Sequence, residues 1–384
     1  MSARRHVVIA SRIFTPEGGA AAYRLAALRD ALEADGADVT VLTSRPPGGG
    51  VPSTRRVRRW PVLRDRSGAV RGYVQYLSFD VPLLFRLWGP RRVDAIVVEP
   101  PPTTGVMVRI AARLRRVPYV YFAADVSSSA AKGIGVNPVV VRVLRRVESW
   151  VLRGAARVLA VSDGVAREVE ELGVRPERIR VVGTGVDTTR FRFDPDAAAA
   201  VEPVLVYAGT MSEIQGAGVF VDAFLRIADE FPEARLRMLG SGTERDALMA
   251  RAAASSAGSR IEFPGTVPGA AVAAELGRAA AGLASVRPGR GYDFAFATKT
   301  FVCGACGAPV IYAGVGPAGD RVAEARLGDR VGWDVDQVSD AMRRVLRAEP
   351  DPVERARIAG WVDAHHSSRA VSAAAVRAVR EVSR

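Results

Sequence analysis

The stretch Phe294-Ala-Phe-Ala-Thr-Lys-Thr-Phe-Val-Cys-Gly-Ala-Cys-Gly-Ala-Pro-Val-Ile-Tyr312 combines a loop, a short helix and a buried strand around a single lysine. Thr298 is a candidate N-cap for a helix that begins at Lys299, and Cys306-Gly307 is a typical helix end. The apolar run that ends at Tyr312 then predicts a buried strand. A helix that leads directly into a buried strand is typical of a parallel sheet covered by helices, so this stretch predicts an α/β fold.

Lys299 stands out because the chain contains 54 lysines and arginines, of which only Lys132 and Lys299 are lysines. The free N–H groups and the dipole of a helix favour an anion at its start, and a lysine adds a compact positive charge with three donors. We therefore predict that Lys299 binds a phosphate group. The alternative is a lysine that is only solvated at the surface.

The rest of the chain repeats the alternation of apolar strands and helical segments, such as Ala20 to Ala34, in two halves. Strands are predicted at residues 7–10, 38–42, 95–98, 119–122, 158–161 and 179–182, and then at 204–208, 235–239, 260–263, 282–285 and 310–312. A linker is predicted near residues 193–202. This pattern is typical of two doubly wound α/β domains, which bind ligands in the crevice outside the carboxyl ends of their strands.

Composition limits the classes of protein to consider. A chain of 384 residues with 48% hydrophobic residues exceeds the usual size of one domain. Cys303 and Cys306 are the only cysteines, which excludes a disulfide framework and a four-thiolate zinc site. The three histidines have no partner at metal-ligand spacing, so no metal is expected. Neither a signal-like segment nor a run of about 18 apolar residues is found, so we expect a cytoplasmic chain that does not span a membrane.

The net charge of +13 lies almost wholly in the first half, where residues 1–195 contain 32 lysines and arginines against 18 acids. Arg55 to Arg92 alone contains ten arginines and two aspartates, interleaved with aromatic residues such as Trp60 and Trp88. No nucleic acid is expected as a partner, since no nucleic-acid-binding motif accompanies the arginines. A solvated arginine-rich surface and a surface that binds an anionic membrane both fit this composition.

Glycine-containing loops follow predicted strands in both halves. Gly18 and Gly19 open the first helix, where the backbone can approach a bulky polar ligand. Gly240 and Gly242 follow the strand at 235–239 in the same way. These glycines do not form a dinucleotide fingerprint, because the third glycine and the acid after the second strand are missing.

Two acids fall at the predicted carboxyl ends of strands. Asp125, after the strand at 119–122, is a candidate either to orient a substrate hydroxyl group or to cap the helix that follows. Glu99 precedes three prolines and is expected to form a turn.

The order and spacing of segments along the whole chain resemble the retaining family-4 glycosyltransferases of the GT-B fold. The matching segments are Gly18-Gly19, Ser162-Asp-Gly164, Gly183-Thr-Gly185-Val-Asp187, Tyr207-Ala-Gly209-Thr-Met-Ser-Glu-Ile-Gln215-Gly216, Leu239-Gly240-Ser-Gly242, Phe263-Pro-Gly265 and Ala305-Cys-Gly307-Ala-Pro309-Val. The Gln215-Gly216 and Thr298-Lys299 pairs are similar to the branch that builds bacterial O-antigen and capsule glycans, often from N-acetylated amino sugars. The resemblance implies two Rossmann-like domains that face each other across a cleft.

The resemblance also implies a role for each domain. Residues 1–194 would bind the acceptor, residues 202–364 would bind the nucleotide sugar, and residues 365–384 would form a helix that packs back on the first domain. The donor would be a nucleotide-diphosphate sugar, expected to be UDP-linked. The acceptor would be a glycan, with a lipid-linked glycan at the inner face of the membrane as one form. Transfer would retain the sugar configuration without a cofactor or a metal, because the leaving diphosphate takes the acceptor proton.

By the same resemblance, Lys299 would be the cation that stabilises the leaving diphosphate, and Asp125 would act on the acceptor. The donor would contact the Gly18-Gly19 loop and eight residues of the second domain. These eight residues are Gly209, Thr210, Gln215, Gly240, Gly242, Phe296, Ala297 and Thr298.

The chain departs from the family pattern at positions that the family uses to bind the donor and to stabilise the leaving group. Thr210 and Gln215 stand where the family has an arginine and a lysine. Phe294 and Val302 stand where it has two glutamates, and Ala124 stands where many members have a histidine. These departures keep two other functions open. One is a non-catalytic partner of an active transferase, and the other is a transferase that glycosylates a natural product.

Overall fold

A computed structural model describes residues 4–17, 20–48, 51–65, 70, 72–90, 92–133, 136–290, 292–293 and 296–383 of the chain. The chain divides into two compact units. One unit consists of Met1–Gly183 together with Ser368–Arg384, and the other consists of Thr184–Ser367. The segment predicted as a linker, 193–202, contains the short helix Pro195–Ala199 of the second unit.

The first unit is built around a parallel sheet of seven strands. In chain order its described elements are β1 (His6–Ala10), α1 (Ala20–Ala34), β2 (Asp38–Ser44), β3 (Val57–Trp60), α2 (Tyr73–Arg86), β4 (Ala95–Val98), α3 (Pro102–Arg115), β5 (Tyr119–Ala123), α4 (Ser127–Gly133), α5 (Pro138–Gly154), β6 (Arg157–Ala160), α6 (Asp163–Glu171) and β7 (Ile179–Val181). The strands lie in the order β3-β2-β1-β4-β5-β6-β7. The order reverses between β1 and β4, and doubly wound sheets bind ligands outside the carboxyl ends of the strands at such a point.

The second unit repeats this plan with six parallel strands. In chain order its described elements are α7 (Pro195–Ala199), β8 (Glu202–Ala208), α8 (Gly218–Ile227), β9 (Arg235–Leu239), α9 (Arg245–Ala253), β10 (Ile261–Gly265), α10 (Gly269–Arg278), β11 (Ala279–Val286), α11 (Lys299–Ala305), β12 (Val310–Gly314), α12 (Pro317–Glu324), β13 (Gly328–Val331), α13 (Val335–Arg347) and α14 (Pro352–His366). The strand order is β10-β9-β8-β11-β12-β13, with the reversal between β8 and β11. The last helix, α15 (Ser368–Val382), belongs to the first unit and packs against α1 and β6.

The apolar runs form these strands because both sheets are buried on two faces. Every residue of β4 and of β5 is buried, and Val8, Ile9 and Ala10 of β1 have no exposed surface. Parallel strands covered by helices on both faces need such continuous apolar sequence. The prediction of two doubly wound, Rossmann-like domains is therefore confirmed for each unit taken separately.

The sequence pattern does not predict two strands, β3 and β13, and both lie at the edge of a sheet. The sequence of β3 is Val-Arg-Arg-Trp, in which only Arg59 is buried, and no residue of β13 is fully buried. An edge strand has a single neighbour and little burial, so it need not contain an apolar run.

The stretch around Lys299 folds largely as predicted, since α11 begins at Lys299, ends at Ala305 with Cys306 as its C-cap, and leads into β12. The predicted cap at Thr298 is wrong. Thr298 has helical backbone angles and its side chain makes no capping hydrogen bond. The chain already turns before this residue, because Thr300 N donates to the Ala297 carbonyl oxygen at 3.1 Å. Thr298 therefore lacks the extended conformation that an N-cap requires.

Candidate functional site

A cavity of about 360 Å³ opens at the carboxyl edge of the second sheet, where β8, β9 and β10 end. We call this cavity the β8–β10 pocket. Three of the residues predicted to contact a donor, Gly209, Thr210 and Gly240, line it together with Val302 of α11. Its full lining is Phe191, Ala208, Gly209, Thr210, Leu239, Gly240, Ser241, Thr266, Val267, Val272 and Val302.

Gly209 and Gly240 bring the ends of β8 and β9 into close contact. Their φ angles are +153° and +130°, in the region that favours glycine. A Cβ atom on Gly240 would lie 2.1 Å from the carbonyl oxygen of Gly209, so a larger residue would displace the backbone that lines the pocket. Gly242 packs against the Met211 carbonyl group in the same way but does not line the pocket.

Lys299 reaches the end of β8 from the first turn of α11. Its Nζ atom donates a hydrogen bond to Tyr207 Oη at 2.5 Å and lies 4.2 Å from the centre of the Tyr207 ring. The Tyr207 hydroxyl group in turn donates to the Thr210 carbonyl oxygen at 2.7 Å. A Cβ atom on Gly209 would lie 3.0 Å from Nζ, which places the ammonium group against the backbone that lines the pocket.

The charge of Lys299 is unmatched within the described residues, where no carboxylate lies within ion-pairing distance of Nζ. Burial lowers the pKa of its ammonium group to about 7, and the nearby Cys303 thiol opposes this effect only in part. A desolvated cation attracts an anion, since the anion replaces the hydration that the cation has lost. The end of Lys299 is therefore suited to a phosphate group.

Gln215, a further predicted donor contact, lies next to β11 and does not line the pocket. Ser285 Oγ donates to the backbone carbonyl oxygen of Gln215 at 2.6 Å. The side-chain oxygen Oε1 of Gln215 is buried and has no hydrogen-bond partner among the described residues. Its donor contact stays a prediction.

Phe296 and Ala297 pack into the core around α11. Phe296 stacks on Phe301 with ring centres 5.1 Å apart, and Ala297 is 6% exposed. The ligand contacts predicted for these residues and for Thr298 stay predictions. Three further positions that the sequence singled out lie outside the described residues, namely Gly18, Gly19 and Phe294.

In the first unit, Glu99 follows β4 and forms a buried ion pair. Arg24 Nη2 donates to Glu99 at 2.8 Å and Ser11 Oγ donates to it at 2.9 Å. The Arg24 guanidinium group also lies 5.0 Å from the centre of the Phe122 ring. Glu99 therefore fixes Arg24 at the carboxyl edge of the first sheet, a role that its expected place in a turn does not reveal.

Asp125 follows β5 at the same edge, and its side chain is exposed and has no hydrogen-bond partner among the described residues. The alternative role as a cap of α4 is wrong, because the N–H groups of Ser127 and Ser128 donate to Glu148 at 2.8 and 2.9 Å. The protein around this edge of the sheet nevertheless partly desolvates the Asp125 carboxyl group and raises its pKa, while the charge of Arg24 opposes this effect. Asp125 is therefore free to accept a hydrogen bond from a bound ligand.

Arg12, two residues after β1, adds a second cation that the sequence patterns did not reveal. Its guanidinium group lies 3.7 Å from the centre of the Tyr76 ring, and its charge interacts with the buried Asp80. Thr104 Oγ1 donates to Asp80 at 2.6 Å. The available signal for Arg12 was its place at the end of the first strand. Within the described parts of the chain, no three His, Cys, Asp or Glu side chains are arranged to hold a metal ion.

The sequence is similar to known proteins along both units. A model described as "Glycosyl transferase 4-like domain" matches residues 18–185, and a model described as "Glycosyl transferases group 1" matches residues 202–348. The D-inositol 3-phosphate glycosyltransferase of Rhodococcus jostii (strain RHA1) is 32% identical over 198 residues, which are 46% of this chain and 42% of that protein. The chain thus spans less than half the length of this curated relative.

Solved structures share the fold over nearly the whole chain. Sucrose-phosphate synthase from Thermosynechococcus elongatus has a TM-score of 0.75 at 17% identity and covers 98% of this chain and 99% of its own. HepE of Anabaena, in complex with UDP, has a TM-score of 0.72 at 15% identity, over 98% of this chain and 100% of its own. Both similarities concern the fold alone. The two domain matches show that the chain belongs to the family-4 glycosyltransferases, and the solved structures show that its fold is GT-B.

Proposed function

We propose that this chain is a retaining glycosyltransferase, which moves a sugar from a nucleotide-diphosphate donor to a glycan acceptor. The observation that carries the proposal is Lys299, a cation with no carboxylate partner among the described residues, placed against Gly209 and the β8–β10 pocket. A UDP-linked sugar is the first donor to test, because HepE was solved with UDP bound. No cofactor or metal is part of the proposal.

The second unit would hold the donor. The β8–β10 pocket, at about 360 Å³, has the size of a small-ligand site and lies at the carboxyl edge where doubly wound sheets bind ligands. In this proposal the diphosphate lies beside Lys299. A bound diphosphate would raise the lysine pKa again, so the ammonium group would be protonated when the donor is present.

Transfer on one face of the sugar would need no covalent bond between the protein and the sugar. The bond between the sugar C1 atom and the phosphate oxygen breaks, the acceptor oxygen bonds to C1 on the same face, and the acceptor proton moves to the departing phosphate oxygen. Negative charge grows on the diphosphate as the first bond breaks. A positioned cation stabilises that charge, and this is the role we propose for Lys299.

The first unit would hold the acceptor. Asp125 offers a free carboxylate beside the Arg24–Glu99 ion pair. A carboxylate can accept a hydrogen bond from a sugar hydroxyl group and so orient the acceptor. Asp125 is therefore proposed as the residue that directs the attacking hydroxyl group.

An apolar stripe on α2 supports a lipid-linked acceptor. Val74, Leu77, Val81, Phe85 and Trp88 are each at least 45% exposed, and their spacing of three or four residues places them on one side of α2 and its C-terminal extension. We call these five residues the α2 stripe. Exposed apolar surface of this kind marks an interaction site.

Arginines lie near the C-terminal part of the α2 stripe, because the side chain of Arg86 reaches β3. Arg86 of α2 donates to the Arg58 carbonyl oxygen at 2.5 Å, and its guanidinium group lies 5.6 Å from the centre of the Trp60 ring. Arg55 and Arg56 precede β3 and are exposed. Apolar and aromatic side chains beside arginines suit the headgroup region of an anionic bilayer. We therefore propose that the first unit docks on the inner face of the membrane; none of the described helices has the length and apolarity needed to cross it.

A non-catalytic partner subunit remains the second candidate function, and Val302 is the observation that favours it. Val302 lines the β8–β10 pocket at a position where the resemblance leads us to expect a glutamate. A valine cannot accept a hydrogen bond from a sugar or ribose hydroxyl group. A partner subunit would keep nucleotide binding without transferring a sugar.

Thermal unfolding with UDP, GDP and TDP, followed by an assay with the corresponding sugars, tests both candidates. A ligand at 100 times its dissociation constant adds about 2.7 kcal/mol to the stability of the folded state. We expect one diphosphate to raise the melting temperature, and we expect the Lys299→Ala variant to lose most of that rise. Binding without any turnover would favour the partner subunit, and no stabilisation by any diphosphate would contradict the proposed donor site.

A further inference from the structure

A cavity of about 970 Å³ lies at the amino edge of the first sheet, where β5, β6 and β7 begin. The C-terminal ends of α3 and α5 form part of its wall, together with the end of α15. We call it the basic cavity. Glu99 and Asp125 follow the carboxyl ends of their strands, so the basic cavity lies at the opposite edge of the sheet from the proposed acceptor site.

Most of the positive charge of the basic cavity has no counter-charge. Seven arginines and two glutamates line it, which gives a formal net charge of +5. Glu381 pairs with Arg157 at 3.1 Å and with Arg180 at 3.6 Å, and Glu177 pairs with Arg175 at 3.3 Å. The other four arginines have no carboxylate partner among the described residues, namely Arg109, Arg113, Arg116 and Arg178.

The fold constrains two of these four arginines, Arg109 through its side chain and Arg116 through its backbone. The Arg109 guanidinium group lies 4.0 Å from the centre of the Trp150 ring and packs on Gly154, where a Cβ atom would lie 2.5 Å from Arg109 Cζ. Its Nη1 atom is buried and has no hydrogen-bond partner among the described residues. Arg116 directly follows α3 as its C-cap with a φ angle of +56°, a conformation in which helix ends favour glycine.

The helix ends do not supply the missing negative charge. The C-terminus of a helix carries roughly half a negative charge, so α3, α5 and α15 together offset about one and a half of the five positive charges. Four guanidinium groups without a carboxylate around one concave surface repel one another unless an anion joins them. One guanidinium group can donate two parallel hydrogen bonds to the oxygens of a phosphate group. Arginine is therefore a common phosphate ligand in proteins.

We infer that the basic cavity binds an anion that carries several phosphate groups. Such an anion is either a free polyphosphate compound or the phosphorylated headgroup of a lipid, and both present the same chemistry to the arginines. The inference does not depend on the proposed transfer reaction, because the cavity and the β8–β10 pocket lie in different units.

Calorimetric titration of the full chain with inorganic tripolyphosphate tests the inference. All proteins in this experiment carry Lys299→Ala, so that the β8–β10 pocket contributes little to the measured binding. The Lys299→Ala protein is compared with the same protein that also carries Arg113→Ser/Arg116→Ser. The control is Arg142→Ser/Arg146→Ser, which removes the same charge from exposed positions of α5 that do not line the cavity. Vesicles with and without a polyphosphorylated inositol lipid form the second arm.

We expect the Arg113→Ser/Arg116→Ser variant to bind tripolyphosphate about a hundredfold more weakly, because each charge-assisted hydrogen bond is worth roughly a factor of ten or more. The control should change less than about twofold. If tripolyphosphate does not bind but the vesicles do, with the same dependence on Arg113 and Arg116, the ligand is a lipid headgroup. Absence of binding in both arms, or equal losses in the two double variants, would overturn the inference.

Discussion

In the proposed reaction, the ammonium group of Lys299 is the part of the second unit that stabilises the leaving diphosphate. Thr210 and Gln215 stand where the family resemblance leads us to expect two cations, and the Nζ atom of Lys299 lies against the pocket backbone at Gly209. We predict that Lys299→Ala slows sugar transfer by roughly two to three orders of magnitude, since loss of one positioned group at the transition state has an effect of about that size. Initial rates with saturating donor measure the effect.

Lys132→Ala is the matched control for this variant, because Lys132 is the other lysine of the chain and is exposed on α4. It should transfer at the unchanged rate. Turnover by Lys299→Ala within about a factor of three of the parent protein would contradict the role of Lys299.

The same lysine should weaken the fold, and the effect should depend on pH. Its pKa is about 7 in the folded chain against an ordinary value of 10.5, so between these values the unfolded chain binds more protons and stability rises with pH. Lys299→Met, which removes the buried charge, should therefore raise the melting temperature by about 2 °C or more near pH 6 and by less near pH 9. Calorimetric melting at both pH values measures this gain, and a lower melting temperature near pH 6 would refute the argument.

Asp125 should affect the acceptor and leave the donor alone. A hydrogen bond to a charged group is worth about 1.5–3 kcal/mol, so Asp125→Asn should lower kcat/KM for the acceptor by roughly ten- to a hundredfold. Nucleotide binding, measured by thermal unfolding with the diphosphate, should not change. Asp30→Asn is the control, since Asp30 is 62% exposed on α1. Loss of nucleotide binding in Asp125→Asn would assign that residue to another role.

At the scale of elements, the sequence predicts the strands that burial determines. It misses the features that depend on contacts between residues far apart in the chain. Continuous apolar runs predict the strands that are buried on both faces, because burial on two faces leaves no place for charge. The same rule cannot find β3, an edge strand with two arginines. Nor can it show that Glu148, 21 residues from Ser127, takes the capping position that the sequence offers to Asp125. Such a partnership depends on how α5 packs against α4, which local patterns do not contain.

The site was predictable to the same extent. The position of Lys299 at the start of α11 follows from the helix-ending Cys306-Gly307 pair and the strand behind it, both of which are local signals. Its partner Tyr207 is 92 residues away in the chain, and only the parallel pairing of β8 with β11 brings the two together. Arg24 and Arg12 were missed for the same reason.

The α2 stripe should decide whether the first unit binds a bilayer. Leu77→Ser/Phe85→Ser removes two apolar side chains that are 50% and 70% exposed, so the fold should tolerate the change. We predict that this variant no longer floats with anionic vesicles in a flotation assay, because insertion of such side chains supplies part of the binding free energy. Leu114→Ser/Val353→Ser is the control, as Leu114 and Val353 are 67% and 80% exposed on other helices. Equal losses in both variants would show that the stripe is not the docking element.

At the scale of the whole molecule, the position of the charge should matter more than its amount. Residues 1–195 hold 32 basic and 18 acidic residues, whereas residues 196–384 hold 22 basic and 23 acidic residues. Each exposed arginine near an anionic bilayer contributes about 1 kcal/mol, and salt weakens this attraction over a Debye length of about 8 Å at physiological ionic strength. Binding through the first unit therefore predicts a strong dependence both on salt and on the arginines of that unit.

Arg55→Ser/Arg56→Ser should lower binding to anionic vesicles by at least about tenfold, since two such contributions are lost. Arg59 is left intact, because its side chain is buried and Nη2 donates to the Thr15 carbonyl oxygen at 2.6 Å, so its loss would disturb the fold. Arg235→Ser/Arg278→Ser removes the same charge from exposed positions of the second unit and should leave binding nearly unchanged. If the two variants lose binding equally, vesicle binding depends only on the net charge of the protein and not on the position of the arginines. If the parent protein stays wholly in the soluble fraction at about 0.15 M salt, the arginines are a solvated surface and the membrane proposal fails.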